Sequence, residues 1–552
     1  MPAADPLRSA SFARTIAAPA LFFLICFIVL TWPAAMRFST HFFADEGDGM
    51  QNVWNLWWMN RATVVLHENP WHTTYLRYPY GTTLVGHTLN PFNGYVAIAL
   101  LRVTTLVTAH NVLVTFSFVA GGVTAFLLAY YLTSAYWPSI VAGYIFTFSS
   151  FHFAHAEGHL QLVSLEWIPL FVLLWMRLVA TPSVGLGVGA AATLFLVILC
   201  DYYYFLYCVI AALIILGWVC IRHGVAAFAD VTRVRALAAF AIATLATSGV
   251  LAGALVWSNI HDPLTRTHPP TEYSLDLLGP FVYGGHWRFG ALTERYWRRL
   301  PSDIHETSVH LGFAVVALVV YVWTRRDRFA SAPVRLFVFL MAFFGVAALG
   351  PSLQIAGKQI FGEHSMLPYA LLQVIFPPLA MSGVPIRMMV MVTLAAAMIC
   401  AFGLARLLAG SANQRRCAIV TVVLIVVETM PKPIPTTRPE IPEYVGILEE
   451  LPDGGVLDTV SRPSVALFYQ TVHQKPMALG YPPARLPRSV AIKDSALEQI
   501  IAARRFDRLW PDYRVKYLVA EDRDGKLAAW PRARPIWTDA TVALIDMSQL
   551  EK

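Results

Sequence analysis

Two sets of ionisable residues have the types and spacing for chemistry at a membrane surface. The first is Asp45-Glu46-Gly47-Asp48, just past the first apolar stretch. Asp45 and Asp48 are three residues apart, so a helical turn would put them on one face. A carboxylate there could take a proton from an attacking hydroxyl. The plainer reading is a solvated acidic loop anchored by Trp54, Trp57 and Trp58, whose spacing suits a helix lying in the membrane interface. The second set is His152, His155, Glu157 and His159. His155 and His159 are four apart, and one helix face could present both. No Glu follows the first His of the pair, so no zinc-protease pattern matches. A hard divalent ion prefers carboxylates and water. Mg²⁺ or Mn²⁺ between Asp45 or Asp48 and Glu157 is therefore one reading, ligation by His155 and His159 a second, and histidines lining a polar turn a third.

Other groups need a reason. His87, Asn90 and Asn93 offer neutral hydrogen-bonding groups that suit sugar hydroxyls, or they cap the helix that follows. Glu166 near the start of an apolar stretch is either a functional intramembrane acid or a group favoured by a helix N-terminus. Asp201, followed by three tyrosines, either meets a substrate or belongs to an interfacial belt. Arg387 is expected at the outer end of a span, after Ser382-Gly383-Val384-Pro385, where it would meet a lipid phosphate or an outer carboxylate. Arg266, Arg288, Arg295, Arg298 and Arg299 are further cations of the 258–308 loop.

The elements that must hold these groups are set by composition. The chain has 552 residues, 57% hydrophobic and 14% charged, against about 25% charge in a soluble globule. Apolar stretches near the length a bilayer needs, about 17–25 residues, fall at 16–36, 112–133, 137–151, 163–180, 184–200, 203–221, 236–257, 309–324, 334–350, 385–408 and 416–429. The first exceeds a signal-peptide core of about 7–15 residues and reads as a retained anchor. The six cysteines lie in or beside these stretches and read as small packing residues. A net charge of +7 does not point to nucleic acid, because the arginines sit beside span ends.

Those arginines fix the expected orientation. If 91–108 does not cross, thirteen arginines between Arg8 and Arg416 fall on short inner connections, as the positive-inside rule requires. The segment 91–108 is then a juxtamembrane or re-entrant helix within a long first outer loop, 37–110. The outer face collects that loop, the 151–161 turn, 258–308, 351–384 and everything after about residue 430. Residues 1–430 form the expected transmembrane domain and 431–442 a Pro-rich linker that should run extended. Residues 443–552 form a small extracytoplasmic α/β domain, with strand-like runs at Gly455 to Val460, Val515 to Ala520 and Thr541 to Ile545, and a helix near 489–506.

The arrangement resembles the GT-C superfamily of membrane glycosyltransferases, and a group of bacterial membrane proteins of that type. The resemblance rests on the first span, the Asp45-Glu46 pair after it, the long outer loop, the acid- and histidine-bearing second outer turn and the outer C-terminal region. It extends to Gly158-His159-Leu160-Gln161-Leu162, Glu166-Trp167-Ile168-Pro169-Leu170, Tyr273-Ser274-Leu275-Asp276-Leu277-Leu278 and Leu367-Pro368-Tyr369-Ala370-Leu371-Leu372. It covers about residues 15–430 and implies a GT-C-like polytopic α-helical fold with about eleven transmembrane helices. It also implies an enzyme moving a hexosyl or pentosyl group from a polyprenyl-phosphate donor to a glycan, lipid or protein acceptor on the outer side of a bacterial inner membrane. Asp45 would match the first-loop catalytic carboxylate, with Asp48 its rival, and Glu157 the second-loop acid that helps bind metal in some members. The added Asp48 and histidines depart from that pattern and put metal dependence in question. Arg387 and His87 are the expected donor-binding residues, and Glu157, His155 and His159 the expected ligands of Mg²⁺ or Mn²⁺. No nucleotide cofactor is expected. Inversion is expected, since one base and no separate nucleophile is visible. The rivals are a transporter or flippase of lipid-linked saccharides, against which the absence of internal repeats argues, and a non-catalytic scaffold of envelope assembly.

Overall fold

A computed structural model of the chain describes residues 5–549 except 8–9, 225–229, 266–267, 326–328, 330–332, 361–366, 376–382, 482–485, 524–526 and 528–534. Arg8, Arg266 and Ser382, named above, lie outside the described residues, as do Arg326 and Arg328 of the thirteen arginines.

Each of the eleven apolar stretches contains helix. Five helices among the described residues are long and apolar enough to cross a membrane: Ala13–Leu30, Leu106–Thr133, Leu160–Ala180, Tyr202–Arg222 and Pro385–Leu407. Val231–Ala246 with Ser248–His261, bent by 44°, makes a sixth if the pair is one span. Of the other stretches, 184–200 and 416–429 are helical throughout but short, whereas 309–324 is trimmed by a break that hydropathy does not register. In 309–324 the chain passes Gly312 at φ 88° before helix begins at Phe313, leaving 12 residues that rise only about 18 Å against a hydrocarbon core of about 30 Å. Residues 91–108 hold the ten-residue helix Pro91–Leu100, too short to cross on the same arithmetic.

The backbone divides into two compact units. One comprises Met1–Phe38, Asn111–Leu251 and Thr267–Pro435. Its centre is the helix Met389–Leu407, in which every residue from Met389 to Leu404 is buried, as expected of a helix apolar all round. Tyr136–Thr147, Phe313–Thr324 and Val334–Ala348 pack against it. Helices approach closely where side chains are small: a Cβ on Gly143 would stand 2.6 Å from the Gly122 carbonyl oxygen and from Phe23, the tight crossing that membrane helices favour. Leu21, Ile25 and Val29 on one helix, and Val420, Val423 and Leu424 on Gln414–Thr429, point outward, which suits hydrocarbon and not water.

The other unit joins Ser39–His110, Ala252–Arg266 and Thr436–Lys552. Its sheet has four strands in the order Gly455–Asp458, Val515–Glu521, Val542–Asp546, Pro535–Thr538. The first pair is parallel, with Leu457 opposite Leu518, and the others are antiparallel, with Leu544 opposite Val519 and Trp537. The three strand-like runs are strands, and the helix expected near 489–506 is Arg488–Ala502. The edge strand Pro535–Thr538 was not legible. The first loop contributes to this unit's core: Phe42, Met50 and Val53 pack with Tyr444, Val445, Phe468 and Leu544. Trp54 and Trp58 are fully buried and stacked, with centroids 5.8 Å apart, among Leu76, Leu84, Leu467 and Met477. The expected interfacial tryptophan helix is therefore a core helix. Its aromatic spacing fixes one apolar face, which Pro463–His473 covers.

Candidate functional site

In the first of these units, the helix Ser150–Ala156 ends at Glu157, its C-cap. Glu157 Oε2 lies 3.1 Å from His286 Nε2 and 3.6 Å from His305 Nε2, and one ligand atom from each of the three residues lies within 4.8 Å of the others. Two imidazoles and a carboxylate are a donor set for a divalent ion, whose binding would displace any proton from the ligating nitrogens. Burial, and then the neighbouring His305 charge, lower His286 to about 3. For His305 burial acts downward, but hydrogen bonds to Asp303 and Glu157 outweigh it and raise the group to about 10. Burial would raise Asp303, yet the His305 contact and the Glu306 N–H hold it well below the usual carboxylate range.

Of the ligands expected from sequence, Glu157 is in this cluster. His155 and His159 lie beside it, their Nδ1 atoms 3.2 Å apart, with the His159 ring 5.6 Å from that of His305. His155 Nε2 faces Glu306 Oε2 at 3.8 Å. Burial, then the positive charges of His159 and Arg387, hold His155 well below its ordinary value. His152 is bound between two carbonyl oxygens, those of Thr147 and Val163, which makes it a structural group.

Arg387 is buried and clamped by Glu306: its Nε lies 2.9 and 3.2 Å from the two carboxylate oxygens, and its Nη2 contacts Oε1. The guanidinium carbon stands 4.8 Å from the Tyr203 ring centre. Of the two partners the sequence suggested for it, the carboxylate is present. Glu166 accepts the Ser117 hydroxyl at 2.7 Å. Asp201 caps Tyr202–His223 by accepting from Tyr203 and Tyr204 N–H.

In the second unit, Asp45 Oδ1 accepts two backbone N–H groups, of Gly47 and Gly49, each at 2.9 Å. That turn opens the helix Asp48–Asn60. A Cβ on Gly49 would stand 2.6 Å from Ala44 Cβ and 3.1 Å from Asp45 Oδ1, so only glycine brings its N–H to the carboxylate. Asp48 accepts the hydroxyl of Tyr481; burial, then the Asp48 charge, push that hydroxyl well up. Glu46 is exposed and pairs with Arg462 at 3.3 Å. On the same helix Gln51 donates to His87 Nε2 at 2.8 Å and to Thr88 at 3.1 Å. Burial, then the Arg77 charge, lower His87 to about 4, so it stays neutral. Asn90 caps Pro91–Leu100 by accepting from Asn93 N–H at 3.2 Å. Sequence reasoning missed His286, His305 and Tyr481. The histidine-rich composition of 258–310 was the available signal for the first two; an isolated tyrosine gives none.

No family model matches the sequence, and no curated protein is similar to it at the sequence level. Similarity to solved structures is extensive. An oligosaccharyltransferase of Archaeoglobus fulgidus, tethered with an acceptor peptide containing the NVT sequon, aligns over 93% of this chain and 70% of that one at 12% identity and a TM-score of 0.46. ArnT from Cupriavidus metallidurans, bound to undecaprenyl phosphate, aligns over 96% and 98% at 13% identity and a TM-score of 0.42. The arabinofuranosyltransferase AftD from Mycobacteria aligns over 98% of this chain at 12% identity and a TM-score of 0.51, this chain spanning 42% of its length. The last similarity carries the assignment of architecture: this chain shares the fold of the matching part of that arabinofuranosyltransferase.

Proposed function

We propose that the protein is a membrane glycosyltransferase that moves a sugar from a polyprenyl-phosphate donor to a glycan, lipid or protein hydroxyl on the outer face of a bacterial inner membrane. The observation that carries this reading is Asp45, held at the mouth of the Asp48–Asn60 helix by two backbone N–H groups on one oxygen. The other oxygen takes the proton of the acceptor hydroxyl as the hydroxyl oxygen bonds to the anomeric carbon. The bond from that carbon to phosphate breaks, and polyprenyl phosphate leaves. A single attack of this kind inverts the anomeric centre. General-base assistance supplies about 10²–10⁴-fold. Asp48 is the rival base, and its hydrogen bond to Tyr481 fixes its direction.

The leaving phosphate needs positive charge in a dry site. We assign that role to Arg387, whose Nε and Nη2 are taken by Glu306, and to a divalent ion supplying Lewis-acid charge at the Glu157 cluster, beside His155 and His159. His87, neutral and fixed by Gln51, is proposed as a sugar-hydroxyl contact. In this reading about eleven helices cross or enter the bilayer, and the 443–552 region lies outside the cytoplasm.

The test is linkage and intact-mass analysis of surface glycans in a strain lacking the protein. Wild type should restore the missing sugar, and one of Asp45→Asn or Asp48→Asn should not, while reaching the membrane at normal levels. Equal restoration by both variants would remove the enzyme reading in favour of a scaffold. A lipid-linked precursor trapped on the inner side would favour a flippase.

A further inference from the structure

We propose that Glu157, His286 and His305 bind a zinc-type ion, with two imidazole nitrogens and one carboxylate oxygen as ligands and a fourth position open to water. The inference deepens the transfer reading, on which the ion's role rests, by naming the class of ion.

The argument starts from His286, a ring buried at 6% exposure. Its Nδ1 lies 3.1 Å from Ser308 Oγ and its Nε2 3.1 Å from Glu157 Oε2. Ser308 Oγ also reaches the Ile304 carbonyl at 2.9 Å, so it can give its hydrogen there and accept from Nδ1–H. In that tautomer Nε2 turns a lone pair toward the carboxylate, and a cation between the two is held by both.

His305 repeats the pattern. Its Nδ1 lies 3.5 Å from Asp303 Oδ1 and its Nε2 3.6 Å from Glu157 Oε2. A carboxylate or hydroxyl behind each ligating imidazole is the outer shell that orients histidines on a metal. The spacing also fits. Bonds of about 2.0–2.1 Å in a tetrahedral site put ligand atoms about 3.4 Å apart, and the two observed separations, 3.1 and 3.6 Å, bracket that value. The donor chemistry selects the ion. Imidazole nitrogen suits zinc and its neighbours, whereas magnesium takes oxygen in octahedra. The set therefore points away from the Mg²⁺ or Mn²⁺ expected from sequence.

Three loop and cap segments converge here: the end of Ser150–Ala156, the turn at His286 and the short helix Ile304–Thr307. An ion would tie them together whether or not transfer occurs.

The full chain in detergent, stripped with chelator, is titrated with Zn²⁺, Co²⁺, Mn²⁺ and Mg²⁺. Elemental analysis should find about one zinc per chain, undisplaced by excess Mg²⁺, and Co²⁺ should give the strong visible absorption of a tetrahedral site. His286→Ala and His305→Ala should each weaken zinc at least 100-fold, and Asp303→Asn, which keeps all three ligands, by about 10–100-fold. Exposed His67→Ala should leave binding unchanged. If the ligand variants fail to fold, Asp303→Asn decides. Wild type that retains no stoichiometric zinc would show an imidazolium–carboxylate pair instead and overturn the proposal. So would zinc held equally by His286→Ala, His305→Ala and Asp303→Asn, or zinc displaced by Mg²⁺. None of these readouts uses sugar transfer, so failure here leaves the enzyme reading to its own test.

Discussion

Glu306→Gln should destabilise the first unit by an amount that can be worked from its contacts. Glu306 and Arg387 side chains are 1% and 8% exposed, and removing one partner of such a buried pair costs about 3–5 kcal/mol. Two contacts soften the loss. The glutamine oxygen can still accept from Nε, although without the charge that strengthens the native contact. The guanidinium also still faces the Tyr203 ring, 4.8 Å from its carbon, so the charge is not left without any favourable contact. A net cost of about 2–3 kcal/mol corresponds to about 4–6 °C in Tm at about 2 °C per kcal/mol, the lower end of the scale for large domains. The unit carries its own reporters, because Cys200, Cys208 and Cys400 are buried thiols within it. Unmasking of these thiols to a reactive dye on heating in detergent gives the midpoint. Glu306→Leu with Arg387→Met should recover most of the loss, since an apolar pair of similar volume is often neutral or better than a buried ion pair. A single variant within 1 °C of wild type, or a double variant worse than the single, would refute the reasoning.

Two other outcomes are expected. Gly49→Ala forces a Cβ to within 2.6 Å of Ala44 Cβ, so about 1–3 kcal/mol of overpacking should move the Gly49 N–H off Asp45 and cut transfer at least tenfold; full transfer at wild-type stability would show that this N–H does not hold the carboxylate. His87 has a folded pKa of about 4, below the ordinary value of about 6.5, so the unfolded chain binds the extra proton. Stability from this group is therefore complete above about pH 6.5 and falls as pH drops toward 4. Hydrogen exchange of the Asp48–Asn60 helix should quicken between pH 6.5 and 5 in wild type after correction for intrinsic rates, and less so in His87→Gln; equal slopes would remove the assignment.

Much of this was legible because it is local. Apolar stretches gave helices, alternating runs at 455, 515 and 542 gave strands, and Asn90 ahead of Pro91 gave a cap. Length was less legible, since a single glycine at 312 with positive φ trims a helix without altering hydropathy. Partners distant in the chain were not legible. Glu157 meets His286 and His305, and Arg387 meets Glu306, only after the helices between them have packed. The tryptophans of the first loop show the same limit: periodicity identifies the face they share, and only the helix that covers it shows that they see protein and not lipid.

The acidic turn and the rest of the first loop are finished by residues made more than 400 positions later. Asp48 meets Tyr481, Trp54 donates to Gln470 at 2.6 Å, and Arg77 pairs with Asp494 at 3.1 Å. During synthesis from the N-terminus the loop must wait, its stacked indoles uncovered, while almost all of the remaining chain is translated and threaded. Maturation of this region is thus post-insertional, and a ribosome that stalls before residue 470 leaves behind a membrane bundle whose acidic turn has nothing to close on.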